Sequence, residues 1–330
     1  MEGPTPVSAL IHAATMVNAG LYLVARMFPI FAAEAMHGAF TDLAFIIALV
    51  GGITACMAAL IAFVQMDLKK VLAYSTMSQL AYIFTGLGAA LFLANALNWH
   101  DPSYAGYDKN KTIVIVAFGA ALFHLFNHAM AKGMLFMASG SVIHEMHHAH
   151  HDVHHHDHHD EEDDHGHDDH HDDFDAQSMA NMGGLASRLP ITATAMLVGS
   201  ASIIGLPLIG GFWSKEGIIA NTWRVAVEHD PRFLLPAFLV LITAGMTGFY
   251  MSRMWFMTFA GKPKTEVAAH VHEQTPWIPI PLLVLIPMSL GGIVFASMKV
   301  TKYLGYNGKQ LDMNLLDGFL YEMDHIFVNP

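Results

Sequence analysis

Seven long apolar stretches, separated by short polar segments, dominate the pattern of hydrophobic and polar positions along the chain. An α-helix needs ~20 apolar residues to cross the hydrocarbon core of a bilayer, and each stretch reaches about that length. The stretches cover residues 6–25, 42–65, 71–97, 112–143, 190–227, 233–259 and 276–296. The pattern therefore predicts an all-α polytopic membrane protein with about seven transmembrane helices.

The fifth stretch, residues 190–227, is too long for one straight crossing and contains a predicted break. The break falls at GLPLIGG, residues 205–211, where proline removes a backbone donor and three glycines permit unusual dihedral angles. Such backbone is tolerated at membrane depth only beside protein or a watery cavity. Lys215 and Glu216 follow directly. They are either an interfacial pair or part of a gate at the break, a device found in transporters.

The fourth stretch carries His124, His128 and Lys132 at four-residue spacing. On a helix each such step drifts by only ~40°, so the three side chains share one face. Ionisable groups inside a membrane helix are costly, and function is the default hypothesis for them. A proton could step along this row; the alternative is a snorkelling Lys132 beside packed histidines. His12, in the first stretch, is either a further proton relay or a histidine bonded to a neighbouring helix.

Residues 144–175 contain fourteen histidines and thirteen carboxylates but no lysine or arginine. Without hydrophobic periodicity, this composition predicts a disordered loop over residues 144–181. Imidazole suits Zn²⁺, Ni²⁺ and Cu²⁺, but the tract has no fixed geometry, so a low-complexity insert is the favoured interpretation. The weak metal-ligand candidates are His147, His148, His150, His151, His154 and His155.

The composition is that of a membrane protein, since 54% of the 330 residues are hydrophobic and 13% are charged. The formal charge of −12 is local, because 16 basic and 15 acidic residues remain outside the histidine-rich tract. A nucleic-acid partner is therefore not supported. Counting Lys and Arg in the loops leaves the orientation open. Cys56 is the single cysteine, which excludes a disulfide within the chain.

Five ordered motifs resemble the antiporter-like subunit L of bacterial NADH–quinone oxidoreductase (respiratory complex I). The same family includes the mitochondrial chain 5 and the large Mrp antiporter subunit. The motifs are GPTPVSALIHAATMVNAGLYLVAR at 3–26, DLKKVLAYSTMSQLAY at 67–82, HLFNHAMAKGMLFMASGSVIHEM at 124–146, MGGLASRLP at 182–190 and GLPLIGGFWSKEGII at 205–219. The resemblance implies two inverted five-helix repeats, each with a broken helix and a central lysine. This chain matches the last helix of the first repeat, the second repeat from about residue 42, and one further helix.

The resemblance also implies roles for individual residues. His12 matches the titratable position that links the two half-channels. Lys132 matches the central lysine of the second half-channel, with His124 and His128 beside it. Lys215 matches the lysine on the broken helix near the exit. Glu216 stands where the family usually has an acidic residue.

By this resemblance the chain is a proton-translocating subunit of an NADH:quinone oxidoreductase and itself holds no redox cofactor. FMN, iron–sulfur clusters and quinone are expected in partner subunits. The expected partners are other membrane subunits, especially a neighbouring antiporter-like subunit, and the lipid bilayer. The expected location is the bacterial plasma membrane, with the histidine-rich loop on the cytoplasmic side.

The expected organisation is helices one to four in 1–143, the loop in 144–181, helices five to seven in 182–298 and an interfacial tail in 299–330. The family's first half-channel, lateral helix and final anchor have no counterpart. We therefore expect a fragment or a split subunit whose N-terminal helices a separate chain could supply.

Several alternatives stay open at this point. Within the same class, the chain could serve a Mrp-type Na⁺/H⁺ antiporter or a CO₂-uptake complex. A metal-handling membrane protein that collects ions on its histidine-rich loop belongs to a different class. A structural scaffold with inactive half-channels is the fourth alternative.

Overall fold

The computed structural model describes residues 4–157, 174–207, 209–273 and 277–291. These residues form α-helices, short π and 3₁₀ segments, and connecting turns, which confirms the all-α prediction. The α-helices are α1 (Thr5–Ala9), α2 (Met16–Phe31), α3 (Thr41–Val64), α4 (Leu68–Ala96), α5 (Tyr107–Asp157), α6 (Pro190–Ile204), α7 (Gly210–Arg224), α8 (Leu234–Phe259), α9 (Glu266–His270) and α10 (Pro279–Leu290).

Five spans in the described part of the chain are long and apolar enough to cross a membrane. They are Thr5–Phe31, Thr41–Val64, Leu68–Ala96, Tyr107–Val153 and Pro231–Phe259. The shorter apolar helices α6 and α10 bring the set to the seven predicted stretches.

α4 is the central helix, with 89% of its apolar window buried. α3 approaches it through small residues, the usual means of close helix contact in lipid. A Cβ atom added at Gly51 would lie 2.7 Å from the carbonyl oxygen of Ala81. One added at Gly88 would lie 2.6 Å from the backbone nitrogen of Ala48. Glycine is therefore required at both points of this contact.

The fifth stretch is broken where the sequence predicts. α6 ends at Ile204, and Gly205 adopts the left-handed conformation with φ +84° that commonly terminates helices. The chain then resumes as α7 at Gly210. A Cβ at Gly211 would overlap the carbonyl oxygen of Ser202, so glycine lets the two half-helices approach closely.

The first crossing is interrupted by a π-helical turn at Leu10–Ala14, between α1 and α2. His12 lies within this turn, and the Thr15 hydroxyl donates to the carbonyl oxygen of Leu10. Single π turns inside helices are frequent at functional sites. The sequence pattern gave no sign of it.

The predicted disordered loop is wrong for residues 144–157, because α5 continues to Asp157. No glycine or proline interrupts this part, and Met146 and Ala149 pack into the buried core. The next described residues, 174–181, form turns that are hydrogen-bonded to the segment around the start of α4. The backbone nitrogen of Leu68 donates to Gln177 O at 3.0 Å, and that of Met179 donates to Met66 O at 2.8 Å. Residues 158–173 lie outside the described residues.

The last described helix, α10, is shorter than the predicted seventh stretch of 276–296. It packs beside α5 and α6 and buries Leu282. Residues 292–330, including the predicted interfacial tail 299–330, lie outside the described residues.

Candidate functional site

α5 buries the whole predicted row of titratable groups. His124 is 1% exposed, and both His128 and Lys132 are 0% exposed. The surrounding helices are α4 and the two halves of the broken helix. Three ionisable side chains inside a membrane-spanning core carry a high desolvation cost, which favours a functional role.

His124 is hydrogen-bonded through both ring nitrogens. Its Nδ1 lies 2.9 Å from the Ser214 hydroxyl on α7, and its Nε2 lies 3.2 Å from the Gln79 side-chain oxygen on α4. The Tyr82 ring, also on α4, lies 5.8 Å from the imidazole between centroids. His124 therefore joins α4, α5 and α7 at one point.

His128 differs sharply from His124. Neither of its ring nitrogens has a hydrogen-bond partner among the described residues, although the side chain is fully buried. It interacts electrostatically with Lys132 on one side and with His124 on the other. A buried imidazole of this kind can both accept and donate a proton if water reaches it.

Lys132 donates one hydrogen bond, from Nζ to the carbonyl oxygen of Leu72 at 3.2 Å. It makes no ion pair within the described ranges, and its neighbours His12, His128 and Lys215 can only compete with it for positive charge. An ammonium buried without a carboxylate is poorly stabilised. This lysine is therefore well suited to bind and release a proton.

Lys215 lies at the break of the fifth stretch. Its Nζ donates to the carbonyl oxygen of Ile203 at 2.9 Å and approaches that of Ile204 at 3.5 Å. These are the last carbonyls of α6, where the helix dipole is negative. The ammonium also lies 5.5 Å from the centroid of the Tyr82 ring. The break thus provides a backbone site for a cation, which Lys215 itself occupies.

Asn127 and Ser214 tie the row to the break. The Asn127 side-chain nitrogen donates to the carbonyl oxygen of Gly210 at 2.9 Å and to the Ser214 hydroxyl at 3.3 Å. Sequence reasoning missed both residues, together with Gln79 and Tyr82. Asn127 could have been found, because it lies three residues after His124 on the same helical face. The other three reach the site only through tertiary packing.

His12 and Glu216 lie at the margin of this group. The His12 ring stacks on Phe136 with centroids 5.5 Å apart, is half-buried, and interacts electrostatically with Lys132. It also lines a cavity of about 730 Å³ that α3 and α4 border. Glu216 is half-buried and interacts electrostatically with Tyr82. No hydrogen bond in the described part of the structure connects either residue to the row.

The predicted metal candidates do not form a site in the described residues, where no group of three or more ligating side chains could hold an ion. His147, His148 and His151 are exposed on the extension of α5, and His150 stacks on Phe174. The rings of His144 and His148 lie 4.6 Å apart. The side chains of His154 and His155 are outside the described part.

A buried row of two histidines and a lysine on one membrane helix, beside a second membrane helix that is broken, is thus the main feature of the described residues. The family model described as "NADH:quinone oxidoreductase/Mrp antiporter, TM" matches residues 1–98 and 106–247. The chain belongs to this family and is an integral membrane protein.

Curated relatives carry the name NAD(P)H-quinone oxidoreductase subunit 5 or chain 5. The chloroplast protein of Anthoceros angustus is 41% identical over 279 residues, which are 84% of this chain and 29% of the relative. Chain 5 of a Synechocystis species is 44% identical over 261 residues, 79% of this chain and 30% of the relative. The chain therefore spans about a third of the length of these relatives.

Two solved structures share the fold. One is the archaeal membrane-bound sulfane sulfur reductase, with a TM-score of 0.61 and 25% identity, over 88% of this chain and 47% of that one. The other is the Mrp complex from a Dietzia species, with a TM-score of 0.60 and 15% identity, over 88% of this chain and 51% of that one.

Proposed function

We propose that this chain is a proton-translocating membrane subunit of an NADH–quinone oxidoreductase. The observation that carries the proposal is the buried row of His124, His128 and Lys132 beside the break that holds Lys215. Support also comes from relatives at 41% and 44% identity that are named as quinone oxidoreductase subunits.

In this proposal a proton enters near His12, passes along Lys132, His128 and His124, and leaves past Lys215, with Glu216 at the exit. Water must bridge the steps, because no hydrogen bond in the described residues connects one titratable group of the row directly to the next. Imidazole suits the intermediate positions, since it can bind a proton and release it again near neutral pH.

The chain would move protons without carrying out redox chemistry. FMN, iron–sulfur clusters and quinone would be bound by partner subunits, and their reaction would bias the buried charges of this chain. The partners would include other membrane subunits, above all a neighbouring antiporter-like subunit. We place the complex in the bacterial plasma membrane, with the histidine-rich segment on the cytoplasmic side.

A Mrp-type Na⁺/H⁺ antiporter subunit is the second candidate, and the shared fold with the Dietzia Mrp complex is the observation that favours it. The identity to that structure is only 15%, so it supports the fold alone. The higher identity to quinone oxidoreductase subunits favours the first candidate.

Transport by the assembled complex in proteoliposomes separates these two candidates. We expect NADH with a quinone to drive proton movement in sodium-free buffer, and an imposed Na⁺ gradient alone to drive none. Proton movement that follows the Na⁺ gradient and ignores NADH would contradict the proposal and favour the antiporter.

A further inference from the structure

A buried hydrogen-bonded arm holds one side of the His124 ring. His124 Nε2 lies 3.2 Å from the Gln79 side-chain oxygen, and the Gln79 side-chain nitrogen lies 3.3 Å from the Thr247 hydroxyl. The Thr247 hydroxyl lies 2.7 Å from the carbonyl oxygen of Thr243, one turn earlier on α8. All four side chains are buried. The arm thus links α5 through α4 to the backbone of α8.

The donors in this arm can be assigned from the far end. The Thr247 hydroxyl has one hydrogen, which it donates to a carbonyl oxygen that can only accept. The Tyr250 hydroxyl also lies beside Gln79 and Thr247, and it donates to the Ser75 hydroxyl. Thr247 therefore accepts from the Gln79 amide nitrogen, which turns the Gln79 oxygen towards His124. That oxygen also only accepts, so His124 Nε2 must carry a hydrogen. The arm consequently selects one tautomer of the neutral ring.

The Nδ1 side of the ring faces the Ser214 hydroxyl, which can donate either to the ring nitrogen or to a backbone carbonyl oxygen of α7. The Ser214 oxygen lies 2.9 Å from His124 Nδ1, 3.2 Å from the carbonyl oxygen of Gly211 and 3.4 Å from that of Gly210. When His124 is neutral, Ser214 can donate to the bare Nδ1. When Nδ1 is protonated, it donates to the Ser214 oxygen, and the hydroxyl hydrogen must turn to a carbonyl at the start of α7.

We propose that Gln79 and Thr247 are positioning residues that fix His124 as the Nε2–H tautomer, and that Ser214 is the group through which His124 gains and loses its proton. The inference rests on the proposed proton transport and deepens it. A primary amide does not relay protons readily, so the Gln79 side holds the ring while exchange takes place on the side of the broken helix.

The proton transfer step balances as follows. The Ser214 hydrogen passes to Nδ1 while the Ser214 oxygen takes a proton from hydronium in the transport path. The hydroxyl is restored, hydronium becomes water, and the imidazole gains one positive charge. The restored hydroxyl then points to Gly211 O, and so the protonation of His124 changes the hydrogen bonding at the first turn of α7.

The tautomer can be measured directly in the full chain in lipid bilayers. ¹⁵N solid-state NMR of histidine-labelled protein, with the His124 signals assigned by difference from His124→Gln, distinguishes a protonated from a bare ring nitrogen. We expect neutral His124 to carry its hydrogen on Nε2, with Nδ1 bare. A hydrogen on Nδ1 with a bare Nε2 would overturn the assignment.

A matched pair of variants tests the arm without touching the ring. Thr247→Val removes the hydroxyl that orients Gln79, and we expect the preference for the Nε2–H tautomer to be lost and proton pumping by the assembled complex to fall. Thr247→Ser keeps the hydroxyl and should restore both. An unchanged tautomer preference in Thr247→Val would overturn the role of the arm.

The proton transfer between Ser214 and Nδ1 of His124 is tested by Ser214→Ala and Ser214→Thr. We expect loss of proton pumping in the first, which has no hydroxyl, and pumping in the second, which keeps it. Wild-type pumping in Ser214→Ala would overturn the transfer step. A different result bears on the proposed function. Wild-type pumping in His124→Gln would remove His124 from the proton path, whereas a hydrogen on Nδ1 of neutral His124 would overturn the tautomer assignment and leave the proposed function standing.

Discussion

Two histidines one turn apart on α5 have opposite surroundings. His124 is bonded to Gln79 and Ser214, whereas the ring nitrogens of His128 have no hydrogen-bond partner in the described part of the protein. Leaving a buried polar group unsatisfied costs about 1–3 kcal/mol. Removing His124 would leave Gln79 and Ser214 without their partner, whereas removing His128 would deprive no described residue of a hydrogen bond, even though both belong to the proposed path.

Methionine substitutions separate stability from transport at these positions. We expect His128→Met to lower the free energy of unfolding less than His124→Met does, because it takes no hydrogen-bond partner from another described residue. His124→Met should lower it by about 1–3 kcal/mol, since Gln79 and Ser214 lose their partner. Unfolding of the purified chain in detergent micelles measures both. Equal destabilisation by the two variants would show that His128 also holds structural partners.

The four-residue spacing in the sequence was enough to predict the row of titratable residues. The partners of His124 could not be predicted, because Gln79 and Ser214 lie 45 and 90 residues away along the chain. Gln79 and Ser214 are ordinary polar residues in sequence. Their importance arises only when three helices place them on the two sides of one imidazole.

The broken helix is the element that organises the site, and its geometry depends on glycine. The sequence GLPLIGG predicts the break because proline and glycine are poor helix formers. It does not show that Gly211 lets α7 approach the Ser202 carbonyl, or that Lys215 reaches across the gap to Ile203. Both contacts need the two half-helices to be placed against each other.

An alanine scan of glycines tests this packing. We expect Gly211→Ala to lower the free energy of unfolding by about 1–3 kcal/mol, because the new methyl group must displace the backbone at Ser202. Gly245→Ala on α8 is the matched control: an added Cβ there meets nothing within 4 Å, and alanine should stabilise the helix by about 0.5–1 kcal/mol. Thermal unfolding of both variants in detergent checks the contrast. A stabilising Gly211→Ala would contradict the close approach.

The extension of α5 shows where reasoning from hydrophobicity fails. A change from apolar to polar residues at position 143 predicts where the helix leaves the membrane, but it does not predict where the helix ends. The helix continues because residues 144–157 contain no helix breaker and because Met146 and Ala149 still face the core. The π turn around His12 was missed for a related reason, since it depends on local hydrogen bonding at Thr15 rather than on a periodic pattern.

At the scale of the whole molecule, the succession of apolar stretches was sufficient to predict the all-α membrane architecture. The resemblance of five motifs to one family supplied the expected roles of His12, Lys132 and Lys215, and these roles remain proposals. The structure adds the physical setting: the central helix α4 supplies Leu72 O to Lys132 and Gln79 to His124. One buried helix thus contacts both ends of the row.

The proposed transport depends on proton exchange at Lys132, and substitution of this lysine tests that step. The measurement is the number of protons moved per NADH by the assembled complex in proteoliposomes. Lys132→Ala has no titratable group, and Lys132→Arg carries a guanidinium that does not release its proton. Lys262→Gln, at an exposed position, is the control. We expect both Lys132 variants to lower the proton yield and Lys262→Gln to leave it unchanged. Wild-type yield in Lys132→Ala or Lys132→Arg would contradict this expectation.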